Sequence, residues 1–255
     1  MTRPVNKNEE NMTSKDKIAL ITGGSRGIGK AIANDFAKNG IQVIVTGRDQ
    51  KRLKTTARDI DANGGQAHWI DADIGTDTGI NRIEDFLFEN ELNVNVLVNN
   101  AAIIHLSTDL IDFDMEHWQE VINVNLIGAV KITKLMLPGM VSQNYGKIIN
   151  ISSIGGRKGA AGRSAYRVTK AGLISFTESL AAEVKSSGID VNCVCPGSVV
   201  TEGYVEAFGP ESIQNDHMMD PSEIAALCSF LVDDSSSAVT GATIDAYGPS
   251  NPLFR

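Results

Sequence analysis

The stretch KIALITGGSRGIG, Lys17 to Gly29, decides the fold. Its first half is an apolar run without polar alternation, as in a strand covered on both faces. Its second half, Thr22, Gly23, Gly24, Ser25, Arg26, Gly27, Ile28 and Gly29, is a glycine loop. The loop runs straight into a helical pattern (Ile28, Ala31, Ile32, Phe36) that stops near Gly40. Glycines let the backbone turn tightly and come close to a pyrophosphate. The free N–H groups and positive dipole end of the following helix then attract the phosphate charge. Glycine spacing alone is a weak signal. Its place after a strand and before a helix gives it meaning.

Outward from that unit the alternation repeats. Strand patterns fall at 41–47, 67–73, 94–100, 147–153, 189–196 and near 242–246. Helical patterns fall at 49–63, 77–90, about 114–142 and 164–187, and another opens at Asp220-Pro221-Ser222-Glu223. Strands alternating with helices predict an α/β fold: a Rossmann-like, doubly wound parallel sheet of about seven strands with helices on both faces. No repeat or linker interrupts 15–250, so residues 15–255 read as one domain behind a polar, mobile tail at 1–14.

The chain is 42% apolar and 21% charged, a globular composition. A net charge of -8 argues against nucleic acid as a partner. No apolar run reaches the ~18 residues that span a membrane, and the amino terminus lacks an apolar signal core. No membrane partner and a cytoplasmic location are therefore expected. Cys193, Cys195 and Cys228 read as buried, reduced thiols, and the scattered histidines predict no metal site.

The second strand bears on the cofactor. An NAD-binding fold places an acid at its end, against the ribose 2′-hydroxyl. Here Gly47 stands at that place, followed by Arg48. Arg48 and Arg26 together suit a 2′-phosphate, so NADP(H) is the preferred cofactor. Asp49 keeps NAD(H) as the alternative, should it face the ribose instead.

Ser153, Tyr166 and Lys170 carry the chemistry. Tyr166 and Lys170 are four residues apart, on one face of a helix. Moving a phenol from ~10 to ~7 takes about 4 kcal/mol. One cation at ~4 Å in an effective dielectric of ~20 supplies about that much. Ser153, at the end of the preceding strand, can donate a hydrogen bond to a developing alkoxide.

The chain resembles the compact, single-domain branch of the short-chain dehydrogenase/reductase family over about 15–248. The resemblance rests on TGGSRGIG (22–29), Asp73 in DADI, NNAA (99–102), Asn125 in NVNL, Ser153, Tyr166 with Lys170, and Pro196-Gly197 with Thr201. It implies an oxidoreductase that moves hydride between a nicotinamide cofactor and a carbonyl or alcohol. Tyr166 would be the general acid/base, Lys170 its partner and ribose anchor, Ser153 the carbonyl orienter, and Asn125 the holder of a relay water. The implied cofactor residues are the loop, Arg48, Asp73 and Ile74 at the adenine, Asn99 and Ala101 at the ribose, and Pro196, Gly197, Val199 and Thr201 at the nicotinamide. A homotetramer, or a homodimer, built on the helices at 114–142 and 164–187 is expected by the same analogy. Position 102 is Ala where the family has Gly, and the last strand ends in Asp-Ala-Tyr-Gly-Pro-Ser rather than Gly-Gly.

The resemblance implies a small-molecule partner. Arg157, Lys158, Arg163 and Arg167 crowd the stretch between Ser153 and Lys170, and Arg157 or Arg163 is the candidate for an anionic substrate group. His105 is a candidate pocket residue. The segment 201–220 reads as a short loop that limits any lid. Two rival functions are a 3-oxoacyl carrier-protein reductase and a non-catalytic dinucleotide-binding sensor or scaffold.

Overall fold

The sheet explains why its strands lack polar alternation. In β1 (Ile18–Thr22), Ala19 and Ile21 enter one apolar cluster while Leu20 enters a second on the opposite face. The computed structural model describes residues 13–213 and 218–250. The remaining strands are β2 (Gln42–Gly47), β3 (Ala67–Asp71), β4 (Val96–Asn99), β5 (Gly146–Ile151), β6 (Ile189–Pro196) and β7 (Thr243–Ala246). All pair in parallel, in the order β3-β2-β1-β4-β5-β6-β7. The doubly wound sheet expected from the sequence is therefore present.

Helices cover both faces. One layer contains α1 (Gly27–Lys38), α2 (Gln50–Ala62) and α8 (Pro221–Val232), with Phe36, Leu53 and Leu231 in the same cluster as Ile21 and Val45. The other contains α3 (Asp77–Glu89), α5 (Ala129–Gln143) and α6 (Ser164–Val184), with Ile83, Met140 and Leu180 packed with Leu20 and Leu97. Chain order runs from β1 outward to β3, then returns across β1 to β4. The carboxyl ends of β1 and β4 consequently diverge and open a crevice.

Four features differ from the sequence expectation. The helix predicted at 114–142 is two helices, α4 (Met115–Ile122) and α5, joined by a π-helical turn at Asn123–Gly128. Met115–Gln143 is also long and apolar enough to cross a membrane by length and composition, contrary to the absence expected above. In this fold Val121, Ile132 and Met140 bury its inner face. The supposed loop 201–220 contains α7 (Glu202–Phe208), capped by Thr201 and stopped by Gly209 at φ 86°. Of the predicted tail, residues 1–12 lie outside the described residues. Thr13 and Ser14 belong to an ordered turn, where Thr13 N–H donates to Asp16 at 2.9 Å.

One ion pair sits inside the sheet. Lys147 on β5 and Asp190 on β6 are register partners, with Nζ 2.8 Å from Oδ2 and side chains only 4% and 7% exposed.

Candidate active site

The crevice is a cleft of about 910 Å3, near the upper end of the ~300–1,000 Å3 typical of small-molecule sites. The glycine loop forms one wall. Gly23 has φ 67°, and a Cβ there would lie 2.9 Å from Ala101 Cα in the adjoining segment. Gly27 has φ 53°, and a Cβ on Gly29 would meet the Gly23 carbonyl oxygen at 2.3 Å. Only glycine suits these positions. Helices α2, α3, α4, α7 and α8 are each capped by their own N-cap side chain, but α1 has no such bond. Its amino end is left for an anion.

Ser25, Arg26, Gly27 and Ile28 line the cleft, as do Ala101, Asp73, Ile74, Pro196, Gly197, Val199 and Thr201. Three predicted cofactor residues do not. Thr22 is buried, and its hydroxyl accepts from the N–H groups of Asn100 and Ala101 at 3.0 and 3.1 Å. Asn99 points inward and donates to Thr133 and Asn150. Gly29 packs beneath the loop. The neighbouring Asn100, which sequence reasoning passed over, lines the cleft instead.

At the glycine-loop end each cleft-lining guanidinium has a carboxylate. Arg48 lies 3.3 Å from Glu120 and 3.9 Å from Asp73, Arg52 pairs with Asp49 at 3.2 Å, and Arg26 pairs with Glu206 of α7. Arg26 holds the Glu206 carboxyl below the usual carboxylate range. Asp49, the residue that kept NAD(H) open, also accepts from Arg52 N–H as the cap of α2.

Ser153, Tyr166 and Lys170 line the cleft at the ends of β5 and α6. Ser153 Oγ accepts from Gly155 N–H at 3.0 Å, which leaves its own proton to donate. Lys170 is buried, and its ammonium donates to the Ile151 carbonyl at 2.7 Å, 5.6 Å from the Tyr166 ring centre. Burial lowers its pKa to about 8. The electrostatics of Tyr166 differ from the sequence argument. Burial pushes the phenol up, and the opposing influences are its hydrogen bond with Ser153 and the guanidiniums of Arg167 and Arg163. The phenol is thus held as a proton carrier rather than as an ion.

Asn125 lies in the π-helical turn, outside the cleft lining, and is buried. Its amide accepts from Ile103 N–H at 2.7 Å and donates to Ile103 C=O and Thr169. Both of its donors are committed, so the side chain braces the cleft wall rather than reaching into it.

The substrate candidates separate. Arg157 is outside the cleft lining and paired with Asp245 at 3.2 Å. His105 is buried behind the wall: its Nε2 accepts from Tyr166 N–H, and its Nδ1 faces the Leu106 carbonyl. Arg163 does line the cleft, donating to the carbonyls of His105 and Ala207 and lying 4.2 Å over the Phe208 ring. Arg167, which was not singled out, lines it too and donates to the Lys158 carbonyl. Its place one residue after Tyr166 was the available signal. Tyr204 and Phe208 of α7 close the same end.

The sequence model of the family described as short chain dehydrogenase matches residues 17–209. The 3-oxoacyl-[acyl-carrier-protein] reductase FabG of Aquifex aeolicus is 36% identical over 244 residues, covering 91% of this chain and 96% of that protein. The acetoacetyl-CoA reductase of Shinella zoogloeoides is 37% identical over 248 residues, covering 91% and 97%. Among solved structures, L-sorbose reductase from Gluconobacter frateurii, complexed with NADPH and L-sorbose, superposes with a TM-score of 0.86 at 28% identity over 93% of this chain and 97% of that one. The family match runs through the loop, strands and helices that build this cleft, so the chain belongs to the short-chain dehydrogenase family and is an oxidoreductase acting at carbonyl and alcohol carbons.

Proposed function

We propose that the protein is an NADP(H)-dependent carbonyl reductase for a small anionic substrate, with Tyr166 as the proton donor. The charge pattern of the cleft carries this reading. At the dinucleotide end Arg26, Arg48 and Arg52 are offset by Glu206, Glu120, Asp73 and Asp49. At the catalytic end Arg163 and Arg167 face the cleft with no carboxylate partner among the described residues. In a protein of net charge -8, an uncompensated positive end favours a carboxylate or phosphate on the substrate.

The loop N–H groups of 25–28 would receive the pyrophosphate, with Arg26 and Arg48 at the 2′-phosphate and Asp73 and Ile74 at the adenine. Ala101 would meet the ribose, Lys170 and Tyr166 its hydroxyls, and the 196–201 segment the nicotinamide. When bound, the nicotinamide supplies hydride to the carbonyl carbon. Ser153 donates to the carbonyl oxygen and orients it. Tyr166 passes its phenolic proton to that oxygen as negative charge develops. Lys170, held on Ile151, stays beside the tyrosine to restore the proton. Asn125 acts by position, fixing Ile103 and Thr169.

Glu206 occupies Arg26 in competition with a 2′-phosphate. Glu206→Gln is therefore expected to tighten NADPH about two- to fivefold, the scale of an exposed ion pair, and to change NADH less. Titration of nicotinamide fluorescence checks this.

A panel followed at the nicotinamide absorbance tests the function. Keto acids and phosphorylated ketones should exceed neutral analogues in kcat/KM with NADPH. Arg167→Met should cost the anionic substrates roughly tenfold in KM, the scale of one charge-assisted hydrogen bond. Equal use of neutral ketones would sink the anionic reading. The named activity of the 36%-identical relative favours a second reading, 3-oxoacyl carrier-protein reduction. Preferred turnover of an acetoacetyl thioester would establish that instead.

We place the enzyme in the cytoplasm. Ile127 in the π-helical turn, Val141 on α5 and Val168 on α6 are exposed apolar side chains, and they support a homotetramer or homodimer built on these helices.

A further inference from the structure

We propose that His105 is the amino-terminal cap of α6 and a positioning residue for Tyr166. In its neutral form, with the proton on Nδ1, it holds the tyrosine backbone, and its protonation releases that backbone. The proposal rests on Tyr166 being the acid/base.

The first N–H groups of a helix have no partner within it. Among the described residues, five α-helices meet that need with their own N-cap side chain. Helix α6 does not: its N-cap, Arg163, makes no cap bond, and its guanidinium turns to the carbonyls of His105 and Ala207. Tyr166 is the third residue of α6, and its N–H donates to His105 Nε2 at 3.3 Å. The other ring nitrogen, Nδ1, lies 2.6 Å from the Leu106 carbonyl. A carbonyl only accepts, so Nδ1 carries the proton and Nε2 keeps its lone pair. The loop after β4 and the start of α6 are thus joined reciprocally. Arg163 donates to the backbone of His105, and His105 accepts from the backbone of Tyr166.

The ring is 4% exposed and packs edge-on against Phe113, 4.8 Å between centres. The charged groups facing it are Arg163 from α6 and His117 from α4, whose own Nδ1 lies 3.0 Å from Glu120. Phe113 adds no charge. Burial, Arg163 and His117 hold the ring below the ordinary imidazole range, while the Leu106 carbonyl works the other way. A second proton therefore arrives only on the acid side. On Nε2 it would confront the Tyr166 N–H donor to donor, and the cap is lost.

This predicts an acid limb that a tyrosine acid alone does not produce, since a phenol is fully protonated there. The test compares wild type with His105→Gln and His105→Phe. Glutamine places a non-titrating acceptor near Nε2, and phenylalanine fills the space without one. As pH falls below the ordinary imidazole range, wild-type kcat for reduction should drop, whereas His105→Gln stays flat within about twofold. His105→Phe should lose about tenfold in kcat across the pH range with KM nearly unchanged.

Hydrogen exchange at the Tyr166 amide, read against its intrinsic rate, needs no turnover. It should be about tenfold faster in His105→Phe than in His105→Gln, and wild type should lose protection towards acid while His105→Gln keeps it. The same acid limb in wild type and His105→Gln, or no change in Tyr166 exchange, would overturn the proposal. If His105→Phe does not fold, the exchange profiles of wild type and His105→Gln decide it. If the exchange results hold but Tyr166→Phe remains active, the cap stands and the acid/base assignment is the part that fails.

Discussion

Tyr166→Phe should lower carbonyl reduction by about 10²- to 10⁴-fold, the usual contribution of a positioned general acid. Only the phenolic oxygen is removed, so dinucleotide affinity should fall by no more than the loss of one ribose hydrogen bond, at most about tenfold, a fluorescence titration being the control. The pH profile of the wild type follows from the same group. Burial raises the phenol, so the acid form needed for reduction persists through the neutral range and is lost only on the alkaline side. Reduction should therefore fall, and alcohol oxidation rise, as pH passes into that alkaline limb. Arg167→Met removes a cation that eases ionisation and should move the limb further up. Retention of a tenth or more of wild-type kcat by Tyr166→Phe would move the proton donor elsewhere.

The second large effect concerns stability. Asp190→Ala leaves the Lys147 ammonium inside the sheet, almost sealed from water and without its 2.8 Å partner. Stranding a buried charge this way costs about 3–5 kcal/mol. Urea denaturation should show the midpoint falling with little change in slope. The double replacement Lys147→Met with Asp190→Leu removes both charges and should recover most of the loss. Were the single variant as stable as wild type, water must reach Lys147 and the pair would not be a sealed one.

The fold was legible because its signals are local. Each strand pattern, such as 41–47 or 94–100, holds a matching strand, and Asp220 with Pro221 and Glu223 caps α8 as its spelling suggests. The catalytic trio was legible for the same reason: a strand end and one helical face bring Ser153, Tyr166 and Lys170 to the cleft. What escaped depends on long-range partners or on geometry that leaves no periodic trace. A π-helical turn hides inside a continuous helical pattern. Helix α7 is only seven residues long, and its signals, Thr201 before it and Gly209 after it, also suit a loop. Arg157 and Arg163 looked equivalent until Asp245, 88 positions away, claimed the first. The reach of Lys170 to Ile151 is likewise a tertiary fact.

The turn at Asn123–Gly128 has a consequence for length rather than for composition. It closes over one residue more than an ordinary helical turn. Deleting a single residue there would restore regular winding, with Met115–Ile122 still in phase with the helix that follows, and would erase the wide turn itself. Asn125 would swing off Ile103, and the wall beside the catalytic end would lose its brace. This segment should accept many exchanges of side chain and no change in the number of residues, so insertion or deletion scanning would find a short, intolerant window inside an otherwise forgiving helix.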